Sequence, residues 1–412
     1  MRISTSQMFN RSLSNIQDVN QELQNTQLQL SSGKRVQTPS DDPVAATRIL
    51  QINQDLDLVS QYQRNIDLVE NRLRQEDDLL AGINDIVIRI RELTIQAGDG
   101  SQNEDDKRFI AAEIKERLSQ LAGMMNSQDP SGEFIFSGFQ GGTRPFEKNE
   151  SGHYEYRGDE GQRKLQIDTS VTIPSNDSGK AIFVDIRAAE NTFYTSANPE
   201  NRANPPAMIT TGQVIDQDEY NSFYPDDMQI QFNNASAIVP PGPNFSIIEP
   251  VSGRILSNPQ PYHTGQPVLV KGVKFEIVGN PVPGDSFFIQ STGKQSLLTT
   301  VEKLIYGLEN YQADNAGRQV LTALLDDTLV NLDNAQTAIL ETRSLAGARL
   351  NTVDTTREMH KDVELLTKEI LSDLQDVDFA EATSELTLES FILDAAFSSF
   401  SRISGLSLFD RL

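Results

Sequence analysis

The 412-residue chain has no cysteine, which excludes disulfide scaffolds, thiol nucleophiles and cysteine-ligated zinc and leaves its redox compartment unmarked. Its three histidines, His153, His263 and His360, stand too far apart to form a metal motif. No stretch approaches the roughly 20 apolar residues of a membrane helix, and the start, Met1-Arg2-Ile3-Ser4-Thr5-Ser6-Gln7, lacks an apolar run of signal-peptide type. The expectation is a chain with no membrane span and no Sec signal, which would need another machinery to leave the cell. Basic residues are also scarce: 35 Lys and Arg against 59 Asp and Glu leave a net charge of −24, which argues against a grip on nucleic acid or anionic lipid. There is no Gly-x-Ser-x-Gly elbow and no phosphate-binding glycine loop, so the sequence nominates no catalytic residue, no cofactor and no metal ligand.

What is present is a globular composition, 37% hydrophobic and 23% charged, long enough for two or three domains with cores of their own. Proline divides the chain. Pro39 and Pro43 stand near the start, and the other 16 of the 18 fall between Pro130 and Pro283. The window 132–293 also holds most of the aromatic residues and glycines, the mixture of short strands joined by turns. The predicted fold is α+β and multidomain: a long coiled-coil-like helical bundle made from both chain ends, with a β-rich central insertion.

The helical ends show two seams. Stepping by seven from Ile52 meets Val59, Ile66, Leu73, Leu80, Val87 and Thr94, with a companion row through Ile49, Leu56, Gln63, Val69, Glu76, Ile83, Ile90 and Ala97 that two polar residues interrupt. Asp42 and Pro43 mark the start of this helix and Gly98 its end, giving Val44 to Ala97, and a second helix follows from Glu104 to Asn126. Further on, Leu325, Leu332, Ile339, Ala346, Val353, His360, Thr367 and Leu374 repeat the spacing, beside Thr328, Ala335, Thr342, Arg349, Thr356, Val363, Ile370 and Val377. That seam is weakly apolar and needs a partner, and the natural one is the Ile52 to Thr94 row, packed antiparallel or parallel.

The outermost segments are unequal. Ile16, Val19, Leu23 and Leu30 make a thin stripe among glutamines and asparagines, whereas Phe391, Phe397, Phe400, Ile403, Leu406 and Phe409 belong to a tail that is apolar around most of a helix. The stripe covers only part of the tail, so other copies of the chain are expected to cover the rest.

Candidates for chemistry are thin. Asp218/Glu219 and Asp226/Asp227 have the composition of a glycosidase pair, but such pairs are frequent in so acidic a chain. His360 is explained as a polar residue tolerated at a bundle edge, and Asp376 and Asp378 as helix-start carboxylates. The Asn-x-Ser sites at Asn149, Asn176, Asn234 and Asn244 matter only in a glycosylating pathway. Tyr220, Phe223 and Tyr224 suggest either a sugar-binding surface or β-core.

The two ends resemble the flagellar hook-associated protein 3 family. The matching residues are Met1-Arg2-Ile3-Ser4-Thr5, Ser31-Ser32-Gly33-Lys34-Arg35-Val36 and Pro39-Ser40-Asp41-Asp42-Pro43-Val44-Ala45-Ala46 at the start. They continue with Gly132-Glu133-Phe134-Ile135-Phe136-Ser137-Gly138-Phe139 and Thr143-Arg144-Pro145-Phe146, and end with Asp376-Val377-Asp378-Phe379-Ala380-Glu381-Ala382, Leu386 and Gly405-Leu406-Ser407-Leu408-Phe409. Flagellin shares the plan of the ends and is the rival resemblance. The family implies a non-enzymatic subunit, exported unfolded through the flagellar type III apparatus and assembled outside the cell between hook-associated protein 1 and the flagellin filament. It also implies an export chaperone on the C-terminal helix. On that pattern residues 1–44 and 376–412 form an inner helical layer. Residues 45–175 and 290–375 form a helical bundle with a β-hairpin from Glu133 to Ile173, and residues 176–289 form a solvent-facing β-rich insertion.

Overall fold

The computed structural model describes residues 5–409, and side chains as far as Arg402 save those of Thr5, Ser6, Met8 and Phe9. In chain order the elements are α1 (Thr5–Ser32), α2 (Pro43–Ala97), α3 (Glu104–Met125), β1 (Phe146–Lys148), β2 (Tyr154–Tyr156), β3 (Lys164–Gln166), β4 (Thr172–Pro174), β5 (Arg187–Ala197), β6 (Met208–Ile209), β7 (Gln213–Val214), α4 (Gln217–Phe223) and β8 (Met228–Phe232). There follow β9 (Asn244–Ile248), β10 (Ile255–Pro261), β11 (Pro267–Val270), β12 (Val273–Val278), β13 (Ser286–Lys294), α5 (Leu297–Glu309), α6 (Asn315–Gln375) and α7 (Phe379–Phe409). The α+β expectation holds: long helices at both ends enclose a β-rich middle. The chain divides into two compact units, Met1–Arg64 with Thr355–Leu412, and Asn65–Asp354. Strand β13 runs through residue 290, so the edge expected at 289/290 falls inside a strand.

In the larger unit the two heptad rows meet antiparallel. Leu80 and Val87 share a core with Leu325, Leu332 and Ile339. Ile66 and Leu73 share another with Ala346 and Val353. Ion pairs flank the seam, Arg91 with Asp333 at 2.9 Å and Arg343 with Asp77 at 2.8 Å. Helix α3, started by an Asn103/Asp106 capping box, closes the core with Ile110, Ile114, Leu118 and Leu121, and α5 adds Leu297, Val301 and Leu304. Helix α5 is not separable from the bundle by sequence, because its 13 residues are too few for a heptad row to repeat.

The polar interruptions of the two seams belong together. Arg349 holds Asp177 through both guanidinium nitrogens, at 2.7 and 3.1 Å, and the Asp177 N–H donates to Glu76 Oε1 at 3.1 Å. Glu76 is fully buried and its Oε2 has no partner. Burial above all, and then the Asp177 charge, push its carboxyl up to about 8 against the pull of Arg349.

The Phe-Ile-Phe-Ser-Gly segment does not form a strand. The single hairpin expected between 133 and 173 is instead two ribbons, β1–β2 and β3–β4. Gly138 explains the difference: it takes φ 73°, and a Cβ there would lie 2.6 Å from the Asp159 carbonyl. The chain turns at that point, and Phe136 packs edge-on against Phe183, with ring centroids 5.2 Å apart. Tyr156 Oη ties the loop by donating toward the carbonyls of Phe136 and Asp159, at 2.9 and 2.8 Å.

The insertion has its own core. Its five antiparallel strands run in the order β10-β9-β8-β13-β5, and β12 pairs with β11, β6 and β7. Alternate residues Val273, Phe275 and Ile277 of β12 point inward, as do Ile230, Phe245 and Phe287 from the larger sheet. Tyr220 and Phe223 lie on α4, a helix not anticipated in the proline-rich window, and are buried in this core, with Tyr220 Oη donating to Thr192 O at 2.7 Å. They are core residues and offer no surface for a sugar. Asp218 and Glu219 stand in the first turn of α4, while Asp227 accepts from the Ser291 N–H at 2.7 Å and Asp226 faces Arg254 at 3.7 Å. The two acidic pairs are therefore spent on a helix start and a strand end.

Candidate assembly surface

The smaller unit gathers the segments singled out for assembly, and short local contacts place them. Asp41 accepts from the Gln37 and Thr38 N–H groups, and Asp42 Oδ1 accepts from Val44 and Ala45, so the chain reverses after α1 and enters α2 capped as expected. At the other side Asp378 Oδ1 receives the Ala380 and Glu381 N–H groups and starts α7. Asp376 has no part in that cap; it forms a bridge with Lys34 and accepts from Ser372 Oγ at 2.5 Å. The bridge is a short strap, in which Arg35 N–H donates to Gln375 O at 2.7 Å and Val377 N–H to Gly33 O at 3.0 Å. Gly33 takes φ 71° to allow it.

From that strap α1 and α7 run antiparallel. On α1 the row Ile16, Val19, Leu23, Thr26 and Leu30 is buried or half-buried; on α7 the corresponding row is Ala382, Leu386, Glu389, Leu393, Ala396 and Phe400. Both step by threes and fours, the spacing of helices that pack along a shared stripe. The polar member of each row meets the other, Thr26 Oγ1 donating to Glu389 Oε1 at 3.2 Å, while Glu389 Oε2 is buried without a partner.

Helix α7 has a second apolar face that α1 leaves open. Leu388 and Phe391 are 58% and 71% exposed and Ile392 joins them on that face, while Phe379 and Phe397, also exposed, lie half a turn around the helix from Leu388. Ile403, Leu406 and Phe409 lie outside the residues whose side chains are described. Burying Leu388, Phe391 and Ile392 against a neighbour would be worth about 5–8 kcal/mol by area, before the cost of association.

The seam residues in this unit are divided. Ile52 is buried and Val59 half-buried, but Val363 and Ile370, expected in the seam, are 44% and 41% exposed. The buried row here continues through Thr356 and His360, whose ring lies 5.7 Å from that of Tyr62, and Glu364 accepts from Gln63 Nε2 at 2.9 Å. A straight helix drifts by about 20° per heptad against a strict seven-residue repeat, so one row keeps contact over α6 while the companion row turns outward. Sequence reasoning missed Thr26 and Glu389, since a polar residue inside a thin stripe gives no signal until its partner across the helix pair is known.

Residues 3–141 match the bacterial flagellin N-terminal helical region. Over 409 residues the chain is 24% identical to flagellar hook-associated protein 3 of Salmonella typhimurium, covering 99% of both chains. The solved flagellar hook-associated protein-3 of Legionella pneumophila is similar in structure, with a TM-score of 0.54 and 26% identity over 79% of this chain and 98% of that one. Flagellin of Escherichia coli is 32% identical over only 92 residues, 22% of this chain, so the likeness to flagellin is confined to a part. These relatives are, by their names, proteins of the flagellum. From end to end the chain is similar to flagellar hook-associated protein 3, and its first third is of the flagellin N-terminal type.

Proposed function

We propose that the chain is a structural, non-catalytic subunit of the bacterial flagellum that assembles through its terminal helices to form the junction between hook and filament. The observation that carries this reading is α7, a helix with two apolar faces and a partner on one, in a chain similar over its whole length to hook-associated protein 3. Its partners on this reading are copies of itself, hook-associated protein 1 on the hook side and flagellin on the filament side. On this reading residues 1–44 and 376–412 form the inner layer of the assembly, and the β-rich insertion, whose last strand runs to Lys294, is turned to solvent. The unpaired face of α7 would need cover before assembly, which suits an export chaperone, and the route out of the cell on this reading is passage unfolded through the flagellar type III apparatus. A filament subunit of flagellin type is the weaker reading, because the flagellin likeness stops short of most of the chain.

Complementation tests the proposal. In a motile strain deleted for its own hook-associated protein 3, supplying this chain should restore attached filaments and swimming, and supplying it without residues 1–44 or 376–412 should not. Restoration by a chain lacking both ends would refute it.

A further inference from the structure

The tip of the β1–β2 hairpin docks on strand β6 of the insertion. Gly152, with φ 81°, turns the chain so that both Ser151 and His153 address Ile209. The Ile209 N–H points to Ser151 Oγ at 3.5 Å, and the Ile209 carbonyl lies 2.8 Å from His153 Nε2. The other ring nitrogen, Nδ1, is 3.5 Å from Glu302 Oε2 on α5. Glu302 is fixed in turn, since its Oε1 accepts from the Tyr154 N–H at 3.0 Å, while its Oε2 has no hydrogen bond of its own. One imidazole thus touches the hairpin, the insertion and the helical body at once.

Both ring nitrogens face acceptors. A neutral imidazole has one N–H, and using it on the Ile209 carbonyl turns the Nδ1 lone pair toward a carboxylate whose side chain is only 10% exposed. The imidazolium, with two N–H groups, satisfies both. We infer that His153 is a proton-dependent latch between the β-rich insertion and the helical body, closed when the ring is doubly protonated and loosened when it is neutral. The groups around it are Glu302, Tyr306 and Glu309 on α5, Tyr154 and Glu155 on β2, Lys148 on β1 and Lys115 on α3. Burial disfavours the charge, but the Glu302 carboxylate, the Ile209 carbonyl and Glu155 outweigh it, and the ring titrates above its ordinary range. A base with a raised folded-state value contributes its full stabilisation below the unfolded value and loses it as pH rises through the folded one. The latch therefore opens on the alkaline side of its midpoint, and the rest of the joint is left to Lys303, which donates to Phe193 O, and to Tyr306, which donates to Glu276.

With only three histidines, the full chain labelled with 13C-histidine gives three ring signals to follow against pH, and the signal lost in His153→Gln assigns the latch. The expected result is a His153 midpoint above about 6.5, the free value, that drops toward it in Glu302→Gln. Amide exchange in Met208–Thr210, corrected for its intrinsic pH dependence, should quicken relative to α3 as pH rises from the free value toward that midpoint, by up to about tenfold per pH unit, and level off above it. A His153 midpoint at or below the free value, or exchange in Met208–Thr210 that ignores the midpoint, overturns the latch. Should His153→Gln fail to fold, the wild-type and Glu302→Gln titrations and the wild-type exchange profile decide the matter without it.

Discussion

Glu76→Gln separates the charge of a buried carboxyl from its shape. The side chain sits in the helical core with Oε1 accepting the Asp177 N–H at 3.1 Å, and an amide oxygen can take over that bond. The amide nitrogen would occupy the place of Oε2, where no acceptor waits, at a fixed cost of about 1–3 kcal/mol at every pH. The pH-dependent part has the opposite sign. The folded carboxyl titrates at about 8 against an ordinary value of 4.5, so between those two the folded state holds a proton that the unfolded chain has lost. Wild-type stability should fall across that window by as much as about 1.4 kcal/mol per pH unit, whereas Glu76→Gln has no proton to hold. Urea unfolding followed by far-ultraviolet circular dichroism at pH 5.5, 6.5, 7.5 and 8.5 measures both. The variant should start as the less stable protein at pH 5.5 and gain on the wild type with each step. Parallel pH profiles for the two proteins would mean that Glu76 is charged and satisfied in the fold, and the account of the Glu76–Asp177–Arg349 network would be wrong.

Other perturbations follow from the same contacts. Arg349→Met removes the bidentate partner of Asp177 and leaves two buried carboxyls facing each other, at a cost of about 3–5 kcal/mol in a denaturant melt at neutral pH. Gly307→Ala drives a methyl group into Leu324 Cδ2 where α5 crosses α6, a loss of about 1–3 kcal/mol that Leu324→Ala in the same chain should partly restore. Gly138→Ala combines the positive φ with overlap on Asp159 and should destabilise the unit spanning Asn65–Asp354 by more than about 1 kcal/mol, seen as early cleavage between β1 and β4 in limited proteolysis. Leu388→Asp with Phe391→Asp should leave the monomer melt within about 0.5 kcal/mol of wild type, because both sites are exposed, yet abolish assembly judged by sedimentation.

How much of this was legible depends on whether a residue acts within its own element or across the chain. The Ile52-to-Val87 and Leu325-to-Val353 rows could be read because a seven-residue repeat needs no knowledge of its partner. So could the caps at Asp42 and Asp378, which act within three residues of themselves. Glu76 and Arg349 were visible only as blemishes in two separate rows, since the residue that unites them, Asp177, stands in a loop between. Val363 and Ile370 fit the repeat but not the burial, because a strict heptad and a straight helix part company over the 61 residues of α6. The turn at Gly138 was hidden by its neighbours, whose aromatic and β-branched side chains favour a strand. In the insertion, 13 prolines announced turns without saying which strands would pair, and β-pairing is non-local by nature.

The terminal helices differ in what they leave for a neighbour. In α1 the apolar stripe is one residue wide, and among the described side chains only Leu13 and Leu28 are left as large exposed apolar residues. In α7 the row facing α1, Ala382, Leu386, Glu389, Leu393, Ala396 and Phe400, mixes large and small side chains around a glutamate, while Leu388, Phe391 and Ile392 lie on the open face. A helix that served only to close the monomer would gain nothing from large apolar residues on its outer face, since each adds about 1.5–3 kcal/mol only when buried. Here the inner contact contains the half-satisfied Glu389, and the outer face keeps apolar area in reserve for a contact the monomer does not make. The strap at Gly33 and Val377, built from backbone hydrogen bonds, fixes where α1 ends and α7 begins independently of the side chains along either helix.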